Sequence, residues 1–352
     1  MTAKELLNKT RAQLDRASAD QLIENVLGVT GTYFFAHGDE EVSAEKAALA
    51  ETLAARCAAG EPLQYVLGSA AFMGLDFYVD ENVLIPRPET ELLCERAEEL
   101  IREKQCYLSA LSGGTLIDAA TGNSKCTSCF AAKKGLCAGD VCAAEFSATG
   151  SDAAAETDGA ASAAELSVLD VCTGSGAIAV WLAHEFPEVR VTASDISEAA
   201  LAVARKNAER LIGCGSAENP EGAQKTAPGF AAIAREAIRF VHSDLFEGIE
   251  GSFDLITANP PYIPAAVIDT LEPNVRDHEP RLALDGGASG FELPLRLIKT
   301  SRAKLRPGGV LLMEIGDDQG ARALEAAANC GFRSCRIHKD YAGQDRILEA
   351  SL

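Results

Sequence analysis

Residues 167–185 read SVLDVCTGSGAIAVWLAHE, an apolar, β-prone run that stops in a glycine-rich turn and restarts with helical composition. No other stretch constrains the fold as much. A buried strand passing through a glycine turn into a helix is the opening of a parallel crossover. The rest of the chain continues that rhythm. Strands are expected at Ser167–Cys172, Val189–Asp195, Ile238–Ser243, Phe253–Ala258 and Gly309–Ile315, with a closing pair at about 332–338 and 345–350. Helices are expected at Gly176–Glu185, Glu198–Leu211, roughly 290–305 and around 318–330. This alternation predicts an α/β fold, a mostly parallel seven-stranded sheet covered on both faces.

The first 69 residues differ. Leu7 and Leu14 repeat at helical spacing, Asp20 is placed to cap a segment carrying Leu22, Ile23, Val26 and Leu27, and Ser43 precedes a helix from Glu45 to Cys57 that Gly60 and Pro62 end. A small N-terminal helical domain is therefore expected over 1–69, a β-hairpin linker over 70–85, and the large α/β domain over 86–352. Two stretches interrupt the large domain, 105–165 and 213–237. Within them, 143–165 and 213–229 are too poor in large apolar groups to offset chain entropy and read as disordered and mobile. Both precede a strand, so both are expected at the sheet edge away from any ligand.

The chain of 352 residues is 47% hydrophobic with a formal charge of −20. That acidity argues against a grip on a nucleic-acid backbone, which needs basic surface. There is no membrane-length apolar run, and MTAKELLNKTR has no signal-peptide core, so a soluble, cytoplasmic protein with no membrane partner is expected. Monomer is the default state. Of eleven cysteines, Cys126, Cys129, Cys137 and Cys142, with Cys106 upstream, crowd into the first insertion. CxxC is a zinc or iron–sulfur spacing, but the second pair is not the CxxC of a zinc ribbon, and free thiols in a loose loop are the other reading. No metal enters the candidate site.

Around the glycine turn, Gly174 and Gly176 allow close backbone approach to a ligand, and the helix behind them offers free N–H groups. Asp195, ending the next strand, is placed to accept hydrogen bonds from both hydroxyls of a ribose. A dinucleotide fingerprint or a purely structural turn fits the same residues. Asp170 before the turn favours S-adenosylmethionine, since a carboxylate there suits its methionine ammonium group, and Asp244 ends the third strand within reach of an adenine amino group. Cys172, Thr173, Ser175, Ile196 and Leu245 complete the candidate cofactor set, which Asn259 joins.

Asn259-Pro260-Pro261-Tyr262 follows the strand FDLITA directly. Two prolines stiffen the backbone and remove donors, so the Asn259 side chain and the Pro260 carbonyl are expected to converge as acceptors for a planar NH2 group. Such acceptors orient the nitrogen lone pair and stabilise the charge that develops on it. Tyr262 would form a flat wall beside it, with Pro261 in the same substrate set.

With these elements, the sequence resembles the release-factor N5-glutamine methyltransferases. The resemblance rests on GEPLQYVLG at 60–68, FMGLDFYV at 72–79, LIPRPETELL at 84–93, DVCTGSGAIAV at 170–180, SDLF at 243–246 and NPPYIP at 259–264. It continues through EPRLALDGGASG at 279–290, LRPGGVLLMEIG at 305–316 and DYAGQDRIL at 340–348. The tetrapeptide alone is shared with adenine-N6 DNA and guanine-N2 rRNA methyltransferases; the LIPRPETELL element and the N-terminal helices narrow it. The resemblance implies a Rossmann-like methyltransferase domain, an N-terminal domain that docks the substrate, S-adenosylmethionine as cofactor, and the glutamine of a Gly-Gly-Gln motif in peptide chain release factors as target. It also implies that Arg87, Glu89 and Glu91 line or buttress the site, where a structural ion-pair role is an equal reading. Methylation of a ribosomal-protein glutamine, or of an exocyclic amine in nucleic acid, uses the same tetrapeptide. The sequence departs from the family at Cys172, commonly Gly, and in the insertion at about 105–165, which opens with an echo of the cofactor loop, LIDAATG.

Overall fold

The computed structural model describes residues 1–111, 166–212 and 237–352. The readings of the cysteine cluster Cys126–Cys142, of LIDAATG and of 143–165 and 213–229 fall outside the described residues. Residues 1–95 with 167–352 form one compact unit and Arg96–Leu166 a second.

The N-terminal helices are α1 (Ala3–Arg11), α2 (Arg16–Leu27), α3 (Tyr33–His37), α4 (Ala44–Ala58) and α5 (Leu63–Leu67). Leu6, Leu22, Ile23, Ala50 and Ala54 form their shared core. Ser43 caps α4 as expected, its hydroxyl accepting from Lys46 N. The cap of α2 is Asp15, not Asp20. Asp20 lies one turn inside the helix, where Arg11 donates to it from Nε at 2.6 Å and from a terminal nitrogen at 2.9 Å. A bidentate ion pair with the preceding helix outcompetes a cap role there.

The hairpin is shorter than expected, β1 (Ala70–Phe72) and β2 (Leu75–Phe77). Met73 and Gly74 both take positive φ, 49° and 76°, the two-residue turn that matches strand twist. Pairing ends at Phe77 because Tyr78 finds a side-chain partner instead. Asn207 Oδ1 accepts from Tyr78 N at 2.7 Å and Nδ2 donates to Tyr78 O at 2.9 Å. The segment beyond is irregular and turns at residues 81–82, where Val83 N donates to the Asp80 carbonyl, with Val79, Val83 and Ile85 buried against Ala200 and Val203.

Helix α6 (Pro88–Leu111) precedes the sheet and takes in 105–111, the first residues of the stretch expected to interrupt the domain. Then come β3 (Ser167–Val171), α7 (Ala177–Glu185), β4 (Arg190–Asp195), α8 (Glu198–Leu211), β5 (Ile238–His242) and β6 (Phe253–Ala258). Two single-turn helices, α9 (Ala265–Ile268) and α10 (Pro273–Arg276), lead to α11 (Glu292–Ser301), β7 (Leu305–Glu314), α12 (Gly320–Asn329), β8 (Ser334–Lys339) and β9 (Asp345–Ser351). The seven strands run in the order β5-β4-β3-β6-β7-β9-β8, parallel from β5 to β7, with β9 antiparallel to both neighbours.

Strand β7 begins four residues before the expected Gly309. Pro307 and Gly308, outside the expected strand, form a bulge inside β7, where the register against β6 jumps from Phe253↔Leu305 to Leu255↔Val310. The sheet core is apolar, Leu169, Ile256, Leu297, Ile298, Leu311 and Met313 being fully buried. The order places consecutive strands on opposite sides of the β3–β6 boundary. Open α/β sheets bind ligands at such a reversal, beyond the carboxyl ends. Among the described residues no helix is long and apolar enough to cross a membrane, and no His/Cys/Asp/Glu cluster could hold a metal.

Candidate active site

A cavity of about 420 Å³ opens at that reversal. Cys172–Ser175 line it from the end of β3, Asp195 and Ile196 from β4, Asp244 and Leu245 from β5, and Asn259 and Pro261 from β6. Four strand ends thus converge on one space, as expected for ligand sites of this size class.

The loop after β3 is shaped by three consecutive constraints. Cys172 takes φ 58°, Gly174 φ 55° and Gly176 φ 79°. A non-glycine residue in this region carries about 1–2 kcal/mol of strain, which gives the family preference for glycine at Cys172 a physical reason. The two glycines differ in what they serve. Gly174 has open space where a Cβ would be, while a Cβ on Gly176 would meet Ala204 Cβ at 3.0 Å and Val180 Cγ2 at 3.1 Å. Gly176 therefore allows α7 to pack on α8, rather than a ligand to approach, and it does not line the cavity. It is the N-cap of α7 and has no side chain to satisfy the first N–H groups.

Asp195 accepts from Gly174 N and from Ser197 N, both at 2.9 Å, one on each oxygen. Each carboxylate oxygen keeps a lone pair for a further donor. Burial raises this carboxyl, against the N–H groups of Ser197 and Gly174. Asp244 is paired with Arg296 at 2.9 Å.

Asp170 does not line the cavity. It is fully buried behind the loop, taking the hydroxyl of Thr173 at 2.6 Å and of Thr257 at 2.8 Å. Its geometry is that of a brace for the loop, which replaces the expected direct contact with an ammonium group. Burial pushes its carboxyl up to about 7, and the two hydroxyls only partly offset this. The folded chain therefore holds a proton that the unfolded chain has released between about pH 4 and pH 7, so stability falls as pH rises through that window. Above it the ionised Asp170 costs on the order of 4 kcal/mol. Asp170→Asn is expected to flatten the fall in Tm between pH 5 and pH 8 and to exceed the native protein in Tm at pH 8. An unchanged slope would show that the carboxyl is not held protonated.

The tetrapeptide after β6 is clamped on every side. Asn259 Nδ2 donates to Thr90 Oγ1 at 3.0 Å, and Tyr262 Oη donates to Glu314 Oε1 at 3.0 Å. Gln319 Nε2 donates to the carbonyls of Tyr262 and Gly290 at 3.0 and 3.1 Å. Burial and the Glu314 carboxylate raise the Tyr262 phenol. Pro260 is buried and, like Tyr262, lies outside the cavity lining. Arg87 lines the cavity and donates to Glu279 Oε1 at 2.5 Å. Glu89 is exposed and outside the lining, and Glu91 instead accepts from Met73 N at 2.6 Å, tying α6 to the hairpin turn.

Comparison with known proteins follows this architecture. Residues 1–68 match the family model described as PrmC N-terminal domain, and 143–272 match the methyltransferase small domain. A release factor glutamine methyltransferase of Geobacter sulfurreducens is 31% identical over 355 residues, covering 99% of this chain and 95% of that protein. The enzymes of that name from Chlorobaculum tepidum and Moorella thermoacetica are 34% and 32% identical, each over 95% of this chain and covering 89% and 90% of their own. The chain belongs to the release factor glutamine methyltransferase family. In this member of the family, the residues missed by sequence reasoning are Thr90, Glu314, Asn207, Gly286, Gly290 and Gln319. Thr90, Gly286, Gly290 and Glu314 lie inside the quoted motifs and Asn207 and Gln319 outside them, and each acts through a tertiary contact.

Proposed function

We propose that this chain transfers a methyl group from S-adenosylmethionine to the side-chain amide nitrogen of the glutamine in the Gly-Gly-Gln motif of peptide chain release factors. The observation that carries the reading is that Asn259 and Pro261 line the same cavity as Cys172–Ser175 and Asp195. A cofactor end and an amide-recognising end therefore share one space.

The residues present fit S-adenosylmethionine. Asp195 has acceptor capacity left at the cavity wall, the N-terminus of α7 lacks a side-chain cap, and Gly174 leaves open space. In this reading Asp195 accepts from the ribose hydroxyls, Ile196 and Leu245 cover the adenine and Asp244 stands near its amino group, while Thr173–Ser175 follow the methionine portion. When bound, the cofactor supplies a methyl group made electrophilic by its sulfonium. Asn259 Oδ1 and the Pro260 carbonyl accept the two N–H bonds of the glutamine amide, turning the lone pair towards that methyl. Pro261 holds the backbone rigid, and Tyr262, anchored on Glu314, fixes the far end of the loop. Arg87 borders the mouth from which the target loop arrives, and the helices of residues 1–69 dock the rest of the release factor.

Labelled methyl transferred to intact release factor, and not to a release factor whose Gly-Gly-Gln glutamine is replaced by alanine, is the expected result. Equal labelling of both would overturn the assignment of the target.

A further inference from the structure

Behind Asn259 lies a chain of polar groups of which the reading above uses only the Tyr262–Glu314 contact. Thr90, in the first turn of α6, and Glu314, the last residue of β7, are buried, with 4% and 1% of their surface exposed. Asn259 Nδ2 donates to Thr90 Oγ1 at 3.0 Å, Thr90 Oγ1 donates to Glu314 Oε2 at 2.7 Å, and Tyr262 Oη reaches Glu314 Oε1 at 3.0 Å. Three separate elements thus converge on one carboxyl group, with each of its oxygens receiving one hydroxyl.

The direction of these bonds is fixed by donor inventory. The single proton of the Thr90 hydroxyl is committed to Glu314 Oε2. What Thr90 then presents to Asn259 is lone pairs, which only the NH2 half of the carboxamide satisfies. The two halves of a carboxamide lie on opposite sides of its carbon. With NH2 turned to Thr90, Oδ1 is turned away from it, in a residue that lines the cavity. Burial raises the Glu314 carboxyl and the neighbouring Glu89 of α6 adds to this, while the Thr90 and Tyr262 hydroxyls and the nearby charge of Arg346 on β9 oppose it.

We propose that Thr90 and Glu314 are positioning residues that lock the Asn259 carboxamide with its oxygen facing the substrate, so that the site selects a side-chain amide and refuses a carboxylate. A freely turning Asn259 would offer NH2 to the cavity part of the time and accept a glutamate there. The consequence for substrate choice rests on the glutamine reading above; the orientation of Asn259 does not.

The test uses the full chain and its Thr90→Val, Thr90→Ser and Glu314→Gln variants. Valine keeps the shape of threonine and removes the hydroxyl, serine restores it, and glutamine in place of Glu314 still offers an oxygen to Thr90. Side-chain NH2 exchange of Asn259, followed by NMR in protein labelled at asparagine nitrogen, needs no substrate. It is expected to be slow in the native protein, Thr90→Ser and Glu314→Gln, and at least about tenfold faster in Thr90→Val, the scale of one lost hydrogen bond. Binding of a release factor against its Gly-Gly-Glu variant, with S-adenosylhomocysteine present, is expected to lose about tenfold of its preference for glutamine in Thr90→Val and to regain it in Thr90→Ser. Equal exchange in the native protein and Thr90→Val, or unchanged preference beside a lowered Tm, would reduce the relay to packing and overturn the proposal. Normal exchange behaviour with no methylation of release factor would instead sink the glutamine reading and leave the relay standing.

Discussion

Asn259→Ala is expected to bind S-adenosylmethionine with native affinity and to lose turnover by about two to three orders of magnitude, the scale for removing one preorganised partner of developing charge. The amide nitrogen is a poor nucleophile because its lone pair is delocalised into the carbonyl. Acceptors held on its two N–H bonds have to be in place before the methyl moves, and water cannot replace them without reorganising. Asn259 is half-buried, and its fixed partner is Thr90. The truncation therefore leaves Thr90 with an unused lone pair but no buried charge, and the fold should survive. The check is calorimetric titration with the cofactor beside single-turnover kinetics on intact release factor. Native turnover would remove the hydrogen-bonding role of Asn259; lost cofactor binding would place it in the cofactor's site alone.

A second large effect is expected from a glycine in the cavity wall, Gly286. A Cβ on Gly286 would come within 2.7 Å of Tyr262 Cα, 2.8 Å of the Pro261 carbonyl oxygen and 2.6 Å of the Gly290 carbonyl oxygen. All three are backbone atoms, so the clash cannot be relieved by turning a side chain. The loop is held on its other side by the Ile263–Asp285 bridge and by Gln319, so Gly286→Ala has to push the tetrapeptide itself. Displacement of about 1 Å in such a site costs on the order of a hundredfold in rate. The expected result is a turnover loss of about that size with cofactor affinity preserved, because Cys172–Ser175 and Asp195 are untouched. Comparing kcat and cofactor Kd for Gly286→Ala and the native protein decides it. A native kcat would mean that the loop position is not what sets the rate.

The parts of the fold that were legible are those governed by neighbours in the chain. Ser43 caps α4 because a cap needs only the next three residues, and the strand ending at Ala258 is a local apolar run. Local rules fail where a distant partner intervenes. Asp20 looks like a cap until Arg11 is folded against it, and Tyr78 looks like strand until Asn207 takes both of its backbone groups. Pro307 and Gly308 lie outside the expected strand, yet β7 takes them in as a bulge.

The site divides the same way. Gly174, Asp195 and Asn259 were readable because each stands at or just beyond the carboxyl end of a strand, and strand ends in such sheets face the ligand. The acid Asp170 was assigned to the same face, but it lies one residue before the end of β3 and is fully buried, with Thr173 and Thr257 donating to its two oxygens. Thr90 and Glu314 were not readable. The residues that give them meaning lie 224 positions apart, and neither type carries a signal of its own at the end of a strand or start of a helix. That Gly286 and Gly290 leave room for the backbone of the tetrapeptide is visible only in three dimensions.

The most direct measurement is peptide mass spectrometry on release factor purified without prior methylation, after incubation with this protein and S-adenosylmethionine, followed by hydrolysis of the modified peptide. The account predicts one added methyl group on the glutamine of Gly-Gly-Gln and release of methylamine from that side chain, which only nitrogen methylation gives. A methyl group on any other residue, or an unmodified Gly-Gly-Gln from a reaction in which the cofactor is demonstrably bound, would contradict it.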